Sequence, residues 1–151
     1  RLNWRAIDAD DEVVRRAGKT IADIFADDGE PAFRELEEQV VADLCLKERA
    51  VVALGGGAIL REATRRRLRA AGPVVWLTAP AEVLAERIAA DTATAANRPR
   101  LTGLAGVEEV RTLLAQRTPL YEECATVSFD TAQHTADSVA DRIHTWLQGS
   151  A

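Results

Sequence analysis

The 151-residue sequence contains no methionine, two cysteines and two histidines. Cys45 and Cys124 stand too far apart for a metal knuckle, and His134 and His144 have no Cys or His at ligand spacing, so no metal centre of soft donors is expected. Two isolated cysteines fit reduced packing residues of a cytoplasmic protein better than a disulfide framework. Basic charge is not in excess. The chain carries 19 Lys and Arg against 24 Asp and Glu, a net charge of −5. That argues against a general binder of nucleic-acid backbones, though not against a local cationic pocket. No apolar run approaches the length of a membrane span, and no secretory signal opens the chain. The lack of methionine, together with an opening Arg1-Leu2-Asn3-Trp4 that reads like the middle of a protein, predicts a fragment or a processed product.

What is present suits one domain over 1–151. Hydrophobic residues make up 47% of the chain, enough for a sizeable core. Strand and helix signals alternate. Trp4 to Ile7 is a short strand candidate, followed by a helical pattern from about Asp11 that stops at Gly18. Thr20 looks like an N-cap with Asp23 three residues on, and Ile21, Ile24 and Phe25 form a short apolar stripe. Pro31 suits the first turn of a helix running to about Lys47, with Phe33, Leu36, Val40, Val41 and Leu44 inward. Val51 to Leu54 is a buried-type strand, and a helix is expected from about Leu60 to Ala71. The strand Val74 to Leu77 precedes a helix from Pro80 to about Ala90. Residues 91–106 are long, small and polar for a connection, as lid loops often are. A helix from about Val107 to Tyr121, a strand from Thr126 to Phe129 and a helix from about Thr135 to Leu147 complete the chain. This alternation predicts an α/β fold with a parallel sheet covered by helices on both faces, and ligands at the carboxyl ends of its strands. Arg65, Arg66, Arg67 and Arg69 spread around one helix and are expected to form a solvated face.

The stretch VVALGGGAIL, residues 51–60, raises the question of a phosphate-binding loop. A P-loop needs G-x-x-x-x-G-K-S/T between a strand and a helix. Here Ala58 and Ile59 occupy the places of the lysine and the hydroxyl residue. The other candidate, Gly18-Lys19-Thr20, follows a helical segment, so it reads as a helix stop and an N-cap. Gly55, Gly56 and Gly57 therefore form either a tight turn or a place where a ligand approaches the main chain and its N–H groups closely.

Asp8 and Asp10 lie two residues apart at a strand end, where alternation would put both carboxylates on one side. One could hold Mg²⁺ through water and the other could accept a proton, while Asp also serves as a helix cap. Arg34 has Glu37 three residues on, a spacing that also suits an ordinary ion pair. Arg98-Pro99-Arg100 falls in the long loop, and Arg117-Thr118-Pro119-Leu120-Tyr121 closes a helix. Arginine at such positions suits an anionic substrate, because its planar fork matches carboxylate and phosphate.

Five segments in one order, IDADDEVVRRAGKTIADIF, GEPAFRELEEQVV, LGGGAIL, NRPRL and QRTPLYEECA, resemble the shikimate kinases over nearly the whole chain. The resemblance implies a P-loop, nucleoside-monophosphate-kinase-like fold. It implies transfer of the γ-phosphoryl group of ATP to the 3-hydroxyl of shikimate, with Mg²⁺, in chorismate and aromatic amino-acid biosynthesis. A cytoplasmic monomer with ATP and shikimate as its ligands, and no nucleic-acid or membrane partner, is expected. By motif position, Asp8 resembles the aspartate near Mg²⁺, and Asp10 the one that binds shikimate hydroxyls and serves as base. Arg34 and Arg117 resemble the pair that grips the shikimate carboxylate. Gly55, Gly56 and Gly57 resemble the main-chain wall of the pocket, and Glu37 the carboxylate that orients it. Arg98 resembles the lid arginine that contacts ATP and stabilises the transferring group, whereas Arg100 stands where many members carry Leu and receives no role. The loop Thr131 to Thr135, with His134, resembles the region near adenine.

The family pattern begins with a strand, a G-x-x-G-x-G-K-S/T loop and a helix that residues 1–151 do not supply. That strand is the central one of a five-stranded sheet ordered 2-3-1-4-5. The remaining strands are therefore expected in two pairs with unpaired edges, and the chain by itself is expected to be poorly stable and inactive as a kinase. Two alternatives stand beside this expectation: a non-catalytic shikimate-binding module, and a kinase of another small polyol such as gluconate.

Overall fold

The computed structural model describes residues 1–92 and 101–149. Strand β1 (Arg5–Asp8) leads into three helices, α1 (Ala9–Ala17), α2 (Ile21–Asp27) and α3 (Gly29–Leu44). Strand β2 (Ala50–Ala53) is followed by a single 3₁₀ turn, Ala58–Leu60, and by α4 (Glu62–Ala71). Strand β3 (Val75–Thr78) precedes α5 (Ala81–Ala90) and α6 (Gly106–Cys124), and β4 (Val127–Asp130) precedes α7 (Ala136–Gly149).

Both strand pairings are parallel. β1 lies on β2 with Arg5 opposite Ala50 and Asp8 opposite Ala53. β3 lies on β4 with Val75 opposite Val127 and Thr78 opposite Asp130. Among the described residues the strands form two separate pairs, as expected from the sequence. Val51 on β2 and Leu77 on β3 are each half-exposed, a large apolar side chain on a strand that one neighbour alone covers.

Local chemistry accounts for both ends of α1 and the start of α2. Asp8 caps α1, its Oδ1 accepting the Asp10 N–H at 2.8 Å. Asp10, Asp11 and Glu12 in the first turn and Arg15 and Arg16 in the last complement the helix dipole. Gly18 ends the helix at φ 70, its N–H reaching the Val14 carbonyl at 2.9 Å. Thr20 caps α2 by accepting the Asp23 N–H at 3.1 Å. The Gly18-Lys19-Thr20 stretch is thus a stop and a cap, and Lys19 pairs with Asp27 and Asp28.

Three expectations are corrected. Asp10 belongs to the first turn of α1, so strand alternation does not set its direction. The capping carboxylate of Asp8 starts the helix one residue after the strand ends. The helix carrying Arg117 runs through Pro119 to Cys124, because Cys124 is buried at 2% exposure and carries the last turn into the core. Arg65 does not belong to a solvated face. It is 8% exposed and donates to the carbonyls of Ile59 and Leu60 at 2.8 and 3.1 Å and to Glu123 at 3.1 Å.

Two apolar clusters make the core. One joins Ala9, Val13, Ile21, Ile24, Phe33, Val40 and Leu44 beneath α1, α2 and α3. The other joins Val41, Ile59, Leu68 and Cys124. Leu54 packs against both, which fixes the backbone immediately before the three glycines. Among the described residues no helix is long and apolar enough to cross a membrane.

Candidate active site

The glycines at 55–57 are not demanded by backbone conformation. Among the described residues the glycines in the left-handed φ region are Gly18, Gly29 and Gly106, and Gly57 has φ −92, which any residue adopts. What they provide is close approach, and each faces a different functional group. A Cβ on Gly55 would lie 3.2 Å from Asp10 Oδ1. One on Gly56 would lie 2.9 Å from the Tyr121 hydroxyl and 3.5 Å from Arg117 Nη1. One on Gly57 would lie 2.5 Å from Arg34 Nη2 and 2.7 Å from Arg34 Cζ. Residues from α1, α3 and α6 therefore meet at one bare corner after β2.

The carbonyls of this corner are occupied. Gly55 O accepts the Ala58 N–H at 3.0 Å and Gly57 O the Leu60 N–H at 3.1 Å. Gly56 O accepts the Tyr121 hydroxyl at 2.6 Å. Among the described residues no hydrogen bond uses the N–H of Gly55, Gly56 or Gly57. The corner thus presents donors, flanked by two guanidinium groups, which is the chemistry of an anion and hydroxyl site.

Arg34 is held in place from its own helix. Its Nη1 donates to Glu37 Oε2 at 2.7 Å, its Nε and Nη2 reach Glu30 Oε1 at 3.3 Å, and its Cζ lies 5.0 Å from the Phe33 ring centroid. The side chains of Arg34 and Glu37 are only 11% and 6% exposed. Burial pushes the Glu37 carboxyl above its ordinary value; the Arg34 hydrogen bond and charge oppose the shift, nearby Asp10 adds to it and Arg117 lowers it. All four charged groups therefore share one field. A carboxyl with a raised folded-state pKa contributes stability that is full below the unfolded value of 4.5 and is lost as pH rises through the folded value. The stability of the wild-type chain relative to Glu37→Gln is accordingly expected to fall as pH rises from 4.5. Urea unfolding of both at several pH values measures it, and a difference independent of pH would contradict it.

The remaining sequence-derived positions divide. Asp8 lies beside the corner, at the end of β1, with one carboxylate oxygen used as the α1 cap. Thr131 is buried after β4 and is held by Arg87, whose Nη1 donates to Thr131 Oγ1 at 2.8 Å and whose Nη2 donates to the Thr131 carbonyl at 2.7 Å. His134 is exposed on the same loop, its N–H on the Thr131 carbonyl at 3.3 Å, and it is not one of the groups that meet at the glycines. Arg98 and Arg100 lie outside the described residues. Among the described residues no group of three His, Cys, Asp or Glu is placed to hold a metal by itself.

Sequence reasoning missed Tyr121, Arg65 and Arg87. Tyr121 follows Arg117 by four residues, so both share one face of α6, and that spacing was a usable signal. Arg87 had none, since its partner Thr131 lies 44 positions away, and Arg65 had none because carbonyls of a turn carry no side-chain signature, although Ile59 and Leu60 are near in sequence.

Comparison with known proteins identifies the family. The shikimate kinase family model matches residues 1–148. The shikimate kinase of Thermobifida fusca is 45% identical over 143 residues, covering 95% of this chain and 80% of that protein. The shikimate kinase of Rhodopirellula baltica is 38% identical over 143 residues, covering 95% of this chain and 76% of that one. Among solved structures, the shikimate kinase from Acinetobacter baumannii in complex with shikimate superposes with a TM-score of 0.88 at 35% identity, covering 97% of this chain and 80% of that chain. Family model, relatives and fold agree, and the chain belongs to the shikimate kinase family.

Proposed function

We propose that the glycine corner is the shikimate seat of an enzyme that transfers the γ-phosphoryl group of ATP to the shikimate 3-hydroxyl, in the route to chorismate and the aromatic amino acids. The observation that carries this is the meeting of Asp10, Arg34 and Arg117 at three consecutive glycines whose carbonyls are turned to internal partners. Arg34 and Arg117 grip the carboxylate by charge-assisted hydrogen bonds. The glycine main chain lets the ring lie against it without side-chain interference. Asp10 orients the ring hydroxyls and accepts the proton that the attacking hydroxyl loses. Glu37 holds Arg34 in its forked orientation. Arg98, assigned by motif alone, stabilises the charge on the transferring group, and the loop carrying His134 lies toward adenine.

Asp8 fits Mg²⁺ as a single carboxylate with one oxygen left by the cap, since Mg²⁺ is usually held by one or two carboxylates together with substrate phosphates. When bound, that ion neutralises charge on the phosphate chain. The molecule is proposed to act in the cytoplasm as a monomer.

Residues 1–151 contain no G-x-x-G-x-G-K-S/T loop, which favours a second reading for this polypeptide taken alone: it binds shikimate without turnover. Calorimetry with shikimate and with ATP, beside an ATP-coupled assay, separates the two. Shikimate heat without ATP heat or turnover is expected. Turnover would defeat the inactive reading, and absence of shikimate heat would defeat the seat itself. Gluconate in the same titration distinguishes the remaining alternative, and no gluconate heat is expected.

A further inference from the structure

We propose that Tyr121, steadied by Trp76, is a positioning residue that sets the direction of the substrate-facing amide at Gly57; the proposal rests on the shikimate seat described above. The Tyr121 hydroxyl donates to the Gly56 carbonyl at 2.6 Å, across 65 positions of sequence. Its ring stacks on Trp76 of β3, with centroids 5.4 Å apart and planes 28° apart. The Gly56–Gly57 peptide is trans, as are all described peptides. In a trans peptide the carbonyl and the next N–H point in opposite directions. Fixing the Gly56 carbonyl on Tyr121 therefore aims the Gly57 N–H away from α6.

Glycine has the widest conformational freedom of any residue, so a run of three would otherwise sample several peptide orientations. The flanking carbonyls of Gly55 and Gly57 are tied within the following turn, which leaves the Gly56 peptide as the one that needs an outside partner. Tyr121 supplies it from the helix that also carries Arg117. One element thus places both a guanidinium and the main-chain donor. Trp76 extends the arrangement to β3, so the corner is braced from a strand outside the β1–β2 pair.

Tyr121→Phe removes the hydroxyl and keeps the ring. The 151-residue chain and this variant are titrated with shikimate, and their amide NMR spectra are compared without ligand. A threefold to tenfold weaker affinity is expected, roughly the worth of one hydrogen bond. The melting temperature is expected to stay within about 2 °C, and the Gly57 amide signal to move. A merely structural role would lower the melting temperature and leave shikimate affinity at the wild-type value. Trp76→Leu keeps the hydroxyl but removes the stacked ring, and is expected to weaken shikimate by a smaller factor. Wild-type affinity in these variants overturns the proposal, and wild-type affinity in Trp76→Leu suffices if Tyr121→Phe does not fold. Absence of shikimate binding by the unaltered chain would instead overturn the seat on which the proposal rests, while the ligand-free Gly57 signal still reports on Tyr121.

Discussion

Arg34→Ala is expected to weaken shikimate binding on the order of a hundredfold, because it deletes one fork of a two-arginine grip in a largely buried setting. It is also expected to destabilise the chain. Glu37 is 5% exposed and takes its 2.7 Å hydrogen bond from Arg34. Removing one member of a buried pair strands the other, at a cost of about 3 kcal/mol, which for a domain of this size lowers the melting temperature by roughly 6–12 °C. Arg34→Lys separates the two effects. Lysine keeps a positive charge for Glu37 but has no planar fork for a carboxylate. Stability is expected to recover more than affinity does, as thermal melts and shikimate titrations of the two variants would show. Full recovery of affinity with lysine would mean that Arg34 acts only as a charge.

Gly57→Ala is expected to weaken shikimate comparably, by roughly thirtyfold or more, through displacement of that same fork, with a loss of stability no larger than that of Arg34→Ala, since moving the fork loosens its 2.7 Å bond to Glu37 but keeps the charge nearby. The new Cβ would lie 2.7 Å from Arg34 Cζ and 2.5 Å from its Nη2. Contact that close requires movement. The obstructing atoms are the far end of a flexible side chain, so the guanidinium swings away while the backbone, at φ −92, needs no adjustment. Gly55→Ala meets Asp10 Oδ1 at 3.2 Å and should have a smaller effect. Gly72→Ala meets nothing within 4 Å and serves as the silent control. Equal effects of Gly57→Ala and Gly72→Ala on shikimate affinity would remove the close-approach explanation for the triple glycine.

Much of the local structure is legible in the sequence. Gly18 and Thr20 read as a stop and a cap because capping depends on a few neighbouring atoms, and both are found in that role. The triple glycine could be separated from a P-loop because the lysine and hydroxyl positions hold Ala58 and Ile59. The error over Asp10 arose at a boundary. A carboxylate that can end a strand can also start a helix, and the 2.8 Å bond to Asp8 decides for the helix. Arg65 was misplaced for a related reason. Four arginines in one helix look alike in a linear pattern, yet one of them points at the open carbonyls of Ile59 and Leu60.

Local sequence alone determined the alternation of strands and helices, the caps, the identity of the charged residues and the ordered motifs that mark the family, because each depends on side chains within a few positions of one another. Tertiary structure decided that Arg34 on α3, Asp10 on α1 and Arg117 and Tyr121 on α6 meet at the glycines after β2, and that Glu37 and Arg65 are buried rather than solvated. Those contacts depend on how parallel strands and their crossover helices stack, and each helix ends up where its apolar face can be buried rather than where its polar groups prefer to be.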